Sequence, residues 1–162
     1  MYRWYENSRV CYAYLHDVPG LSFPTRSDNK TYPNSNGWPE WFSRGWTLQE
    51  MIAPGNVQFF NKDWKPIGNK KTLSRTLADI TRVPPHILTD GLGSNRPCVA
   101  QILSWAAYWT TARVKDRALF PVGSAGCEYA NELKTLKCFL PFQRLQLQVI
   151  HMSNDQSIFA WC

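Results

Sequence analysis

The stretch Val10-Cys11-Tyr12-Ala13-Tyr14-Leu15 constrains the fold most. It is β-rich and almost continuously apolar, the pattern of a strand buried on both faces in a parallel sheet. His16-Asp17-Val18-Pro19-Gly20 ends it with turn chemistry. Parallel strands need crossovers, so helices must follow. The chain supplies them. Trp46, Leu48, Met51 and Ile52 mark one helix, ended by Pro54-Gly55. Leu73, Leu77 and Ile80 mark another over Lys71 to Arg82, and Pro84-Pro85 begins a further turn. Val99 to Thr111 has the strongest helical pattern. Between them Val57-Gln58-Phe59-Phe60, the turn Asn61-Lys62-Asp63-Trp64 and Pro66-Ile67-Gly68 read as a hairpin. Trp38-Pro39-Glu40-Trp41-Phe42 starts a short helix, and residues 20–39 read as a long surface loop. Residues 142–151 recover a helix, and 155–161 close the chain with a short strand. The expected class is α/β.

Length and composition narrow the options further. A chain of 162 residues suits one core, and 44% hydrophobic with 19% charged residues excludes intrinsic disorder. Mean hydropathy is −0.38 and no apolar run reaches the ~18 residues of a membrane span. The start, Met1-Tyr2-Arg3-Trp4-Tyr5, has no apolar leader, so the expected location is cytoplasmic. Five cysteines lack Cys-x-x-Cys spacing, and His16, His86 and His151 do not cluster with them, so no metal site is expected. The net charge of +6 lies wholly within residues 44–117, which carry eleven basic and five acidic residues. This admits a polyanion-binding module, although Lys70-Lys71 is the longest basic run and nucleic acid is not the favoured partner.

At Arg44-Gly45-Trp46-Thr47-Leu48-Gln49-Glu50 the chain resembles the fungal heterokaryon incompatibility (HET) domain. Further stretches agree in order: Tyr2-Arg3-Trp4-Tyr5, the Val10–Val18 segment, Trp41-Phe42, Phe59-Phe60 with Asp63-Trp64, Ser104-Trp105-Ala106-Ala107, Asp116-Arg117-Ala118, and Asp155 to Trp161. The resemblance implies a partial TIR-like (flavodoxin-like) parallel sheet with flanking helices and a helical C-terminal portion. It places Met1 inside the family's domain, so residues 1–162 correspond to an incomplete HET domain lacking its first strands. Such a sheet exposes an edge and an uncovered apolar face. Residues 118–141 depart from the family pattern. A reading-frame slip with a later compensating slip would produce that boundary; if neither alternative frame restores the pattern, the idea fails.

The resemblance implies a role in non-self recognition and programmed cell death, with protein partners in a signalling assembly. Trp46-x-Leu48-x-Glu50 also resembles a segment of NAD-cleaving TIR domains, which makes Glu50 the candidate catalytic residue and NAD a candidate substrate, with no resident cofactor. A carboxylate there would hold a ribose hydroxyl and stabilise an oxocarbenium-like cation. Equally, Glu50 would pair with Arg44 or cap a neighbouring element. Arg44, Gly45, Trp46, Leu48, Asp116 and Arg117 are expected to build the motif rather than react. His16-Asp17 ends a strand where α/β folds place function.

Overall fold

The computed structural model describes residues 2–92, 97–107, 109 and 110. Asp116, Arg117, the 118–141 segment and the expected elements at 142–151 and 155–161 lie outside them. A short helix, α1 (Tyr2–Glu6), leads into β1 (Cys11–Tyr14). A 3-10 turn (Glu40–Ser43) precedes α2 (Thr47–Ile52). Then come β2 (Val57–Phe60), β3 (Pro66–Asn69), α3 (Ser74–Thr81), α4 (Pro85–Asp90) and α5 (Val99–Ala106).

The sheet is mixed. β1 runs parallel to β2 with Cys11 opposite Val57 and Tyr14 opposite Phe60. β2 and β3 form the expected hairpin, antiparallel with a bulge at Phe59/Phe60. The parallel sheet implied by the resemblance is met only by β1 and β2: a connection from Phe60 to Pro66 is too short for a crossover and can only reverse the chain. The hairpin turn is set by Asn61, which is fully buried. Its Oδ1 accepts from Asp63 N at 3.0 Å and Lys65 N at 2.9 Å, and its Nδ2 donates to Gly20 O at 2.9 Å. Gly68 takes φ +150°, and an added Cβ would lie 2.5 Å from Leu73 Cδ1.

The core lies on one face of the sheet. Ala13, Leu15, Val57 and Phe59 point into it and meet Leu48, Met51, Ile52, Leu77, Leu88, Ile102 and Trp105. Phe59 is ringed by Phe23, Trp41 and Phe42, with centroids 5.4–6.1 Å away and mostly edge-on, the favoured aromatic geometry. Phe23 and Tyr32 are buried, so the 20–39 segment is pinned to the core at two points and is not wholly a surface loop.

Among the described residues nothing covers the opposite face, in contrast to the reading of β1 as buried on both sides. Alternation along β1 and β2 puts Tyr12, Tyr14, Gln58 and Phe60 outward. Tyr12 is 60% exposed. The apolar outward residues are aromatic, so sequence alone cannot tell this face from a covered one. The expected helix from Val99 to Thr111 is also shorter. It ends at Ala106, and Thr110 instead pairs in parallel with Arg44.

Candidate functional site

Helix α2 is buried on nearly every side: Thr47, Leu48, Gln49, Met51 and Ile52 are all inside. A helix so enclosed is a core element. Its ends are tied down by specific polar contacts. At the start, Gly45 N donates to Thr110 O at 2.7 Å and Thr110 N donates to Ser43 O at 2.8 Å. The Thr47 hydroxyl lies 2.7 Å from Trp41 O and 2.6 Å from Arg44 O.

At the other end sits Lys70, 1% exposed. Its ammonium donates to Met51 O at 3.1 Å, Ile52 O at 3.4 Å and Pro54 O. These carbonyls have no partner within the helix, and a cation there also complements the helix dipole. Burial lowers the Lys70 pKa from 10.5 to about 8. Of the longest basic run, Lys70-Lys71, the first lysine is therefore interior. Nothing in the local pattern flagged it; its partners lie 16 to 19 residues away.

Glu50 is the one residue of α2 that is not buried. Its Oε1 accepts a hydrogen bond from the Tyr5 hydroxyl of α1 at 3.1 Å. Burial and the nearby carboxylate push the Tyr5 phenol up to about 12. Burial first, then the Glu50 charge, push the Cys11 thiol up as well. The Glu50 charge thus acts on Cys11, the first residue of β1, at the amino end of the parallel pair. Ligands of open α/β sheets bind outside the carboxyl ends. Arg44, exposed on extended backbone, forms no ion pair with Glu50 among the described residues. Trp46 is half-buried and Leu48 fully buried. Tyr5, Cys11 and Lys70 were missed because only the tertiary fold brings them to α2.

The carboxyl end of β1 holds a second polar group. Asp17 Oδ2 accepts from Glu40 N at 2.7 Å and so caps the 3-10 turn. His16 Nε2 lies 3.5 Å from Glu40 Oε2, with both side chains 58% exposed. The buried Asp17 Oδ1 has no hydrogen-bond partner among the described residues. Among the described residues no group of three His, Cys, Asp or Glu is placed to hold a metal. No helix among them is long and apolar enough to cross a membrane.

No protein-family model matches the chain, and no solved structure matches it significantly. One curated protein does: the chain is 34% identical over 124 residues to vegetative incompatibility protein HET-E-1 of Podospora anserina. The match takes in 73% of this chain and only 9% of that much longer protein. The chain is therefore related to a segment of a fungal vegetative incompatibility protein.

Proposed function

We propose that this chain is a signalling module of fungal heterokaryon incompatibility, acting through protein partners to promote cell death. The observation that carries the reading is the 34% identity to HET-E-1 across 73% of the chain. The exposed Tyr12 and Trp64, on a sheet face that no described residue covers, support it, because Tyr and Trp are enriched where proteins meet. On this reading the chain is part of a HET domain with a TIR-like sheet. Expression in a filamentous fungus, scored for death of fused hyphal cells, tests it. Death that depends on an intact core motif is expected; fusion cells that survive as well as vector controls refute it.

A second reading, NAD cleavage, rests on Glu50 being the least buried residue of an otherwise enclosed α2, within reach of solvent. Its carboxylate is engaged by Tyr5 and lies at the amino end of β1, which favours the partner reading. Nicotinamide release from NAD, compared with Glu50→Ala, decides: equal rates remove the enzyme. Polyanion binding loses support, since Lys70 is spent inside the protein. A salt titration of nucleic-acid binding tests it, and a flat response ends it.

A further inference from the structure

The loop that pins Tyr32 to the core carries a chemically labile pair, Asn36-Gly37, the one Asn-Gly step in the chain. Asparagine is thermolabile because its side-chain amide can be attacked by the main-chain nitrogen that follows it. Glycine in second place makes the attack fastest, since no Cβ screens that nitrogen. Here the fold demands both residues. Asn36 and Gly37 have φ 55° and 80°, and Trp38 N donates to Ser35 O at 3.1 Å, which together make a type I′ turn. Asparagine and glycine are the residues that tolerate such angles. Gly37 is also buried, and an added Cβ would lie 2.9 Å from Asp28 N and 3.0 Å from both Asn29 Oδ1 and Ser27 Cβ.

The same geometry restrains the reaction. Ring closure requires Gly37 N to give up its proton and swing round to Asn36 Cγ. Gly37 N instead donates to Tyr32 O at 3.0 Å. In a type I′ turn that nitrogen stands nearly anti to the Cβ of the preceding residue about its Cα–C bond, out of reach of Cγ. Gly37 O accepts from Asp28 N at 2.8 Å, and Asp28 O accepts from Tyr32 N at 2.9 Å, while the Tyr32 side chain is buried in the core. Asp28 fixes the bend between them: its carboxylate accepts from Lys30 N at 2.9 Å and from the Thr31 hydroxyl at 2.6 Å. Asn36 therefore becomes reactive only when Gly37 leaves Tyr32 O.

We propose that Asn36 is a deamidation site held shut by the fold, that release of the 27–38 loop opens it, and that its conversion keeps the loop from closing again. In the open loop the Gly37 nitrogen, its proton taken by solvent, attacks Asn36 Cγ. The N–Cγ bond forms, the Cγ–Nδ2 bond breaks, and ammonia leaves with a proton returned from solvent. Water then opens the cyclic imide at either carbonyl. One product is aspartate on an unchanged main chain. The other is isoaspartate, with the main chain rerouted through Cγ and longer by one carbon. The longer chain cannot close the Ser35–Trp38 turn and also keep Gly37 bonded to Tyr32 O and Asp28 N. The site goes beyond the signalling role and needs no partner.

The test ages the full chain in mildly alkaline buffer, native and in strong urea, and follows Asn36 and isoaspartate by peptide mapping and mass spectrometry. In urea Asn36 should convert as fast as in a free Ser-Asn-Gly-Trp peptide. In the native protein it should convert at least ~30-fold more slowly, in proportion to the fraction of time the loop is open. Asp28→Ala, which loosens the bend and leaves Asn36 and Gly37 in place, should speed native conversion several-fold and leave the rate in urea unchanged. The isoaspartyl fraction should be cut within 27–38 by added protease faster than unaged protein. Asn36→Asp, which adds the charge without lengthening the chain, should resist cutting like unaged protein. Equal rates in native protein and urea overturn the proposal, with no variant needed. An Asp28→Ala protein of wild-type circular dichroism that converts no faster than wild type also overturns it, as does isoaspartyl protein that resists protease like unaged chain.

Discussion

Replacing Lys70 by methionine tests the most unusual interaction in the fold. The stem is conserved in length, so packing is largely kept, while the donors to Met51, Ile52 and Pro54 disappear. Two effects oppose each other. Loss of the hydrogen bonds leaves helix-end carbonyls unpaired, at about 1–3 kcal/mol. Loss of the buried charge removes a penalty whose size follows from the pKa, lowered from 10.5 to about 8. At about 1.4 kcal/mol per unit this is about 3 kcal/mol. The sign is that of a depressed base. Below pH 8 folded and unfolded chains both carry the proton, and the penalty is complete. Between about 8 and 10.5 the folded chain has released a proton that the unfolded chain still holds, so stability rises with pH. Tyr5, raised to about 12, acts oppositely above pH 10, and Cys11, raised from 9.0, acts oppositely from a lower pH. Comparing wild type with Lys70→Met cancels the Tyr5 part; Cys11, whose charge and that of Lys70 act on each other, is replaced by serine in both proteins. Urea unfolding followed by tryptophan fluorescence should show near-equal stabilities at about pH 7. By about pH 9.5 wild type should lead by about 2 kcal/mol more than at neutrality. Parallel pH profiles for the two proteins would refute a depressed Lys70.

Three further outcomes follow from single contacts. Asn61→Ala removes three buried hydrogen bonds that shape the hairpin and should cost about 2–4 kcal/mol in urea unfolding; Asn61→Asp, keeping the acceptor, should cost less. Gly68→Ala drives a methyl to within 2.5 Å of Leu73 Cδ1 at a φ that side chains avoid, and should cost about 2 kcal/mol. Adding Leu73→Ala should recover only part of it, because the backbone strain stays. Tyr5→Phe breaks the bond to Glu50 and should cost about 1 kcal/mol, read as a lower Tm; the phenol titrating near 12 should vanish from the alkaline absorbance curve.

The elements that could be read from sequence are those whose signals are local. The β2–β3 hairpin has its turn residues between two short apolar runs, and α4 begins at Pro85 because proline suits a first helical turn. The end of α5 was not legible. Trp109 continues the apolar pattern, but Thr110 is claimed by Ser43 and Gly45, some 65 residues away in sequence. The same holds for Lys70, whose doublet with Lys71 looks like surface, and for Tyr5, 45 residues from Glu50. The outward face of β1 failed for another reason. Tyrosine suits a covered face and a docking face alike, so its alternation with Ala13 was masked by its hydrophobicity.

What the Arg44–Glu50 motif does can now be argued residue by residue. Gly45 lends its amide to Thr110, and Thr47 anchors the turn through its hydroxyl. Leu48, Gln49, Met51 and Ile52 fill the core, and Lys70 closes the far end. Architecture accounts for these positions with no ligand. Arg44 and Glu50 remain, and a phosphate-and-ribose site would need them to converge. Instead Glu50 is bonded to Tyr5, while Arg44 stands on extended backbone that bridges to Thr110. Among the described residues, any NAD chemistry therefore reduces to Glu50 alone. The consequence is a clear asymmetry. Arg44→Ala should leave any nicotinamide release unchanged, and a loss equal to that of Glu50→Ala would show that the two side chains meet in a shared site after all.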